Sequence, residues 1–353
     1  MIFISAVSQR NRGNASHIRP IRVVKFFHME LSLVRCRDTQ AWDAFVRSSP
    51  QRNIFCMSSF IEACGEECAY VFVESDGAPM LGAMLFPEKN GKLRSSPRPF
   101  TMYQGVLFGG TLDALKPHTR VGKQLQLTEF LLAELEKNYE NMEFCLHWNF
   151  PDIRSFLWFH YHERGKGMFN VTVGYTGLFD LRSVDSADDI TEQIRLNRRR
   201  ELRSADAKGW RIEESTDVKL LDDLHRHTFD RQDIERPPEA SFHIQSIARA
   251  ALQEGFGEML VGRNAKGEAG SALLALYDDK CGYYLIGAND PKFRKDACGT
   301  MLMTESMLRA KRRGCTYFDF VGINSPARGD YKISFNAIPT PYFTVRWKTP
   351  RTS

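Results

Sequence analysis

The chain has 353 residues, 42% of them hydrophobic, and a formal charge of +5. That is enough for two ordinary domains, each able to bury a core, and it excludes a disordered or fibrous chain. No apolar run reaches the ~18 residues that span a bilayer, and the charge does not point to DNA or RNA, because it lies in the leader: residues 1–28 carry Arg10, Arg12, Arg19, Arg22 and Lys25 and no acid, which leaves 43 basic and 43 acidic residues from Met29 onward.

In the leader, an apolar start precedes the basic residues, the reverse of a secretory signal, so residues 1–28 read as an upstream-start artefact or a disordered arm. The spacing then predicts a helix over Thr39–Ser48 and a hairpin of Tyr70–Glu74 and Pro79–Phe86 turned by Asp76 and Gly77. Asn90 and Gly91 make a second turn. A helix with Leu127, Phe130, Leu131 and Leu135 on one face and a strand over Met142–Trp148 follow.

The second half opens with one long polar helix, Asp188–Lys208, stopped by Gly209. A short strand, Trp210–Glu214, and helices over Val218–Phe229 and Glu239–Gln253 come next. Three strands then meander antiparallel: Glu258–Arg263, Glu268–Tyr277 and Gly282–Gly287. A loop, Ala288–Gly299, leads to a helix with Met303, Met307 and Ala310 inward, ended by Gly314. Strands over Thr316–Val321 and Tyr342–Trp347 complete the order. Both halves run hairpin, helix, strand, as two copies of one fold would.

Eight cysteines are scattered along the chain without paired spacing, and they read as reduced cytoplasmic thiols. His160, His162 and Glu163 mimic a metal cluster but lack a further histidine at suitable spacing, so no metal is expected. Phosphate-loop, nucleophile-elbow and dinucleotide motifs are absent.

The chemistry centres on Tyr283–Gly314. A helix that starts after a basic, glycine-containing loop presents unpaired N–H groups and the positive end of its dipole to an anion. Arg294, Lys295, Gly299 and Thr300 are therefore the candidate phosphate contacts, with an ordinary strand-to-helix connection as the alternative. Three antiparallel strands, this loop, a helix and a further strand resemble the GNAT acyltransferase core. In that family the loop after the fourth strand cradles the pyrophosphate of acyl-coenzyme A. From Arg294 to Thr300 only part of the family's glycine pattern is met.

The segments QIRLNRRRELRSADAKGWRIEE, YYLIGAND, GCTYFDFVG and GDYKISFN resemble, in this order, those of Fem-type aminoacyltransferases and of GNAT proteins associated with cell-envelope polysaccharides. The resemblance covers Asp188 to the C-terminus. It implies an α/β (α+β) fold of two tandem GNAT-like domains, each a mixed, largely antiparallel sheet flanked by helices. Residues 29–182 would form the acceptor side and 183–353 the donor side.

The resemblance places Lys332 on the lysine of the Fem-type segment, near the reacting acyl group, where it would stabilise an oxyanion. A solvated strand-end lysine is the plain alternative. Asp319, between Phe318 and Phe320, is either a catalytic group or a buried acid with a structural partner. Tyr103, Gln104, Asp152 and Arg154 in the first half, with Tyr284 and Arg198 in the second, are the candidate substrate contacts. Arg195, Arg198, Arg199, Arg200 and Arg203 form either a phosphate- or membrane-facing cluster or a solvated helix face.

The expectation is therefore a cytoplasmic N-acyltransferase. It would use acyl-CoA and act on an amine of a small-molecule, lipid- or nucleotide-linked envelope precursor, with peripheral membrane contact as an option. A tRNA-dependent peptidyltransferase and a non-catalytic binding module of an envelope-synthesis complex are the alternatives.

Overall fold

A computed structural model describes residues 30–86, 100–230 and 235–349. The basic leader and the Asn90–Gly91 turn lie outside the described residues. Strand β1 (Leu31–Cys36) leads into α1 (Thr39–Ser48), where the Asp38 side chain caps the Gln40 N–H and Trp42, Phe45 and Val46 face the core. After α2 (Ser58–Ala63), β2 (Ala69–Ser75) and β3 (Ala78–Leu85) form the expected hairpin. Its two turn residues, Asp76 and Gly77, both take positive φ, 53° and 76°, which matches the twist of the flanking strands. With β4 (Val106–Phe108) these strands make a four-stranded sheet ordered β1-β2-β3-β4. Helix α3 (Pro117–Glu136) covers it with Leu127, Leu131, Leu132 and Leu135, each fully buried and worth ~1.5–3 kcal/mol.

The remaining elements are β5 (Asn141–Cys145), α4 (Arg154–Trp158), β6 (Asn170–Asp180), α5 (Ala187–Gln193), α6 (Leu196–Ala207), β7 (Arg211–Glu214), α7 (Val218–Asp230), α8 (Ala240–Glu254), β8 (Gly257–Arg263), β9 (Ala269–Tyr277), β10 (Cys281–Asn289), α9 (Cys298–Arg312), β11 (Tyr317–Asp319), α10 (Pro326–Ile333) and β12 (Ile338–Lys348). They build one eight-stranded sheet ordered β5-β12-β6-β11-β10-β9-β8-β7. The expected antiparallel meander is β8-β9-β10. Alternation along β9 explains its unbroken apolar run: Ala272, Leu274 and Leu276 meet α7 and α8, while Leu273, Ala275 and Tyr277 meet α9. The first of these cores also holds Trp42, Phe55 and Phe60 from the first half, so both halves share apolar packing.

Several elements differ from the sequence expectation. The polar helix Asp188–Lys208 is two helices, because Ile194 turns extended (ψ 156°) to bury its side chain and the Arg195 N–H goes to Ser334 O at 2.9 Å instead of continuing the ladder. The 288–299 loop is shorter, since β10 runs to Asn289 and a 3-10 turn fills Pro291–Asp296. Strand β6 was not expected, and it lies between β11 and β12. The segment holding Lys332 is helix α10, not the end of a strand. Among the described residues no disulfide joins the cysteines. No helix among the described residues is long and apolar enough to cross a membrane.

Candidate active site

Strand β10 pairs with β9 throughout, with a bulge between Tyr284 and Ile286. On its other side it pairs with β11 only over Cys281–Tyr283, in parallel with Tyr317–Asp319. Beyond that point the chain after β11 turns away through Val321 (φ 51°) and Gly322 (φ 79°), leaving β10 without a partner strand on that edge among the described residues. Alternate N–H groups of β10 therefore face an opening in the sheet.

The open edge leads to the start of α9. Ala297 enters the helix with φ 58°, and no side chain caps it, so the first-turn amides are not taken by a capping group. Gly299 packs closely, since a Cβ there would lie 2.7 Å from Asn289 Oδ1 and displace that side chain. Arg294 and Lys295 are exposed beside this end, and Lys208 pairs with Asp296 at 2.6 Å. Thr300 is buried and its hydroxyl donates to Glu201 Oε2 at 2.6 Å. A carboxylate thus stands beside the end that the sequence reading assigned to a phosphate. Arg198 offsets it: its guanidinium bonds Glu201 and Ser334 Oγ and lies over the Tyr331 ring at 4.7 Å.

Lys332 is turned inward from α10. Its ammonium donates to the carbonyls of Phe320, Val321 and Gly322 at 2.6, 3.0 and 2.8 Å, and lies 5.3 Å over the Tyr284 ring. It therefore holds the turn after β11, where the β-branched Val321 sits in a left-handed conformation that costs energy. Tyr284 lies along the β10 opening, and burial raises its phenol pKa.

Asp319 is fully buried. Its carboxylate accepts from Tyr103 Oη at 2.8 Å, from the Val321 N–H at 2.7 Å and from the Thr176 hydroxyl. Burial raises the Asp319 pKa, and burial together with the Asp319 charge raises that of Tyr103 well above the usual phenol range. The pair joins the two halves. Gln104 is also buried and bonds Phe55 O and Thr101, whereas Asp152 and Arg154 pair with each other beside α4. Of these four first-half residues, Tyr103 and Gln104 are buried, whereas Asp152 and Arg154 form a pair of their own.

Ile323 and Asn324, which directly follow the turn held by Lys332, line a cavity of 690 Å³. Val173, Tyr175, Ile323 and Ile333 supply apolar surface, and Asn324 and Tyr342 supply polar groups; no charged side chain lines it. Asn324 Oδ1 accepts the Tyr175 N–H at 2.7 Å and its Nδ2 donates to Tyr342 Oη at 3.2 Å. The sequence reading named none of these residues. Asn324 and Tyr342 carried no spacing signal, because β6 brings them together only after it inserts between β11 and β12.

Of the five arginines around α6, Arg195 pairs with Asp330, Arg198 is held as above, and Arg199 donates to the carbonyls of Glu192 and Ile194. Arg200 and Arg203 remain exposed. Among the described residues no group of histidine, cysteine and carboxylate side chains could hold a metal ion.

Residues 192–332 match the family described as Acetyltransferase (GNAT) domain. The search of curated proteins gave no match. Among solved structures, FemX is similar over 89% of this chain and 97% of its own, with 15% identity and a TM-score of 0.66. The tandem GNAT protein from the clavulanic acid biosynthesis pathway is similar over 92% and 100%, at 10% identity and a TM-score of 0.52. L-PGS from Bacillus licheniformis is similar over 89% and 93%, at 12% identity and a TM-score of 0.51. Residues 192–332 thus resemble a GNAT acetyltransferase domain, within a chain that has the tandem GNAT fold.

Proposed function

We propose that the chain is an N-acyltransferase that moves an acyl group from acyl-CoA to an amine of a cell-envelope precursor, with an amino sugar preferred. The observation that carries this reading is the open edge of β10 leading to the uncapped start of α9. A thioester carbonyl placed along that edge would meet backbone N–H groups, and a pyrophosphate at the helix start would meet amides with Arg294 and Lys295 alongside. The acceptor amine attacks the carbonyl, the tetrahedral intermediate collapses, and the thiolate leaves and takes up a proton. No covalent enzyme intermediate is needed, because the donor is already activated.

The uncharged cavity beside the Lys332-held turn favours an acceptor group bearing hydroxyls over one bearing phosphate or carboxylate. The envelope precursor rests on the resemblance of the four segments from Asp188 onward. In this reading Lys332 acts through the turn it holds, and Asp319 fixes the base of that turn.

One observation favours the second reading, an aminoacyl-tRNA donor. Glu201 faces the first turn of α9 through Thr300 and opposes a pyrophosphate there. A panel of acyl-CoA thioesters incubated with nucleotide-linked amino sugars separates the readings. Acylated product with one free CoA thiol per turnover, unaffected by ribonuclease and weakened about tenfold by Arg294→Glu with Lys295→Glu, supports the first. Product only from charged tRNA, abolished by ribonuclease, supports the second. Precursor binding with no product from either donor would overturn both and leave a binding module.

A further inference from the structure

Four exposed large apolar side chains fall between residues 157 and 168: Leu157, Trp158, Tyr161 and Met168, with Trp158 56% exposed. They lie where α4 ends and the chain turns through His160 (φ 57°) and Gly167 (φ 83°) toward β6. The Trp158 and Tyr161 ring centroids are 4.3 Å apart, so the two form one aromatic surface, and the Arg164 guanidinium lies 5.3 Å from the Tyr161 ring centroid.

The underside of this turn is fixed to the fold. Trp347 Nε1 donates to the carbonyls of Lys166 and Gly167, both at 3.2 Å. Phe159 packs edge-on against Trp347 at 5.7 Å, and His160 Nε2 lies 2.8 Å from Glu136. The exposed surface is therefore held in shape from below, and a partner binding it meets little ordering cost.

Its charge selects the partner. From Asp152 to Met168 the cations are Arg154, Arg164 and Lys166, and the acids are Asp152 and Glu163. Lys166 pairs with Glu163 and Arg154 with Asp152, both in exposed pairs, while Arg164 pairs with no acid among the described residues. Indole and phenol groups with polar tips, flanked by cations on long stems, suit the boundary between phospholipid headgroups and acyl chains. We propose that residues 157–168 are a preformed contact for an anionic phospholipid surface, with Trp158 and Tyr161 at the headgroup boundary and Arg164 and Lys166 toward the phosphates.

Trp158 is its own reporter, because Trp42, Trp210 and Trp347 are buried and Trp148 is half-buried. With vesicles of phosphatidylcholine and phosphatidylglycerol, the full chain should co-sediment, its emission should move to shorter wavelength, and acrylamide quenching should fall. Pure phosphatidylcholine should bind more weakly, and added salt should reduce the difference. Trp158→Ser with Tyr161→Ser should lower partitioning about tenfold or more, and Arg164→Gln should remove part of the salt-sensitive component. All three positions are surface sites, and circular dichroism with a thermal melt verifies that each variant is folded. Equal partitioning of wild type and the double variant, or no partitioning of either, overturns the proposal. So does a dimer in sedimentation that the double variant dissolves while vesicles are ignored, which would assign the surface to a second copy.

Discussion

The phenol of Tyr103 and the carboxylate of Asp319, 216 residues apart in the chain, meet at 2.8 Å in the interior and tie the two halves together. Tyr103 holds φ 54° to make this contact, so the surrounding packing stabilises a backbone conformation that a tyrosine rarely adopts. Tyr103→Phe keeps the ring against His147 and Tyr342 but removes one of three donors to a buried carboxylate. The variant should lose ~1–3 kcal/mol in urea unfolding. An unchanged midpoint would show that this link does not hold the halves.

Lys332 should act on the protein before it acts on any substrate. Lys332→Met keeps the stem and removes an ammionium-type donor from three carbonyls, so the turn at Val321 and Gly322 should relax. The expected loss is ~2–4 kcal/mol. The Ile323 amide, which donates to Tyr175 O at 2.8 Å, should exchange its hydrogen faster by about tenfold or more relative to amides in α3. Uniform acceleration across the chain would mean that Lys332 supports global stability only.

How much was legible in the sequence follows from how local each signal is. Helix α1 and the β2–β3 hairpin depend on neighbours in the chain, a cap at Asp38 and a turn at Asp76 and Gly77, and their bounds could be read directly. Strand β6 reads NVTVGYTGLFD, with glycines at 174 and 177 that weaken a strand pattern, and those glycines answer to Tyr342 and Ala337 far along the chain. Lys332 was found through its segment, but its role was not, because three carbonyls from residues 320–322 converge on it only in the folded chain. The same holds for the break at Ile194, which depends on a distant carbonyl at Ser334.

Gly174 tests the cavity by shape alone. A Cβ there would lie 2.4 Å from the Tyr342 ring, and Gly174 has no positive φ to add backbone strain. Gly174→Ala should push the Tyr342 ring toward the cavity, cost ~1–3 kcal/mol, and lower kcat/KM for the acceptor while leaving donor binding intact. Equal losses in donor and acceptor binding would place the acceptor elsewhere.

Glu201 decides between donors. If a pyrophosphate lies at the start of α9, Glu201→Gln removes a like charge while an amide can still accept from Thr300, and CoA affinity measured by calorimetry should rise several-fold. A variant that binds CoA no better than wild type, with activity dependent on charged tRNA, would remove coenzyme A from consideration.

His147 should contribute to the loss of stability on the acid side of neutrality. It is buried, its Nδ1 accepts the Asn149 N–H at 3.1 Å, and burial pushes its pKa down from 6.5 to about 3. In the folded chain it stays neutral as pH falls, whereas the unfolded chain takes up a proton below about 6.5. Stability is therefore lost progressively from that pH down to about 3, and the loss from this one group is ~2 kcal/mol by pH 5. His225, pushed down to about 4 chiefly by burial, adds to the loss over a shorter window. Asp278 opposes it, because burial raises its pKa to about 6 and the folded state gains a proton first. His147→Asn, whose amide oxygen can accept the same N–H, isolates the first group: its stability deficit against wild type should shrink by ~2 kcal/mol between pH 7 and pH 5. A deficit that stays constant with pH would mean that His147 is protonated in the folded chain.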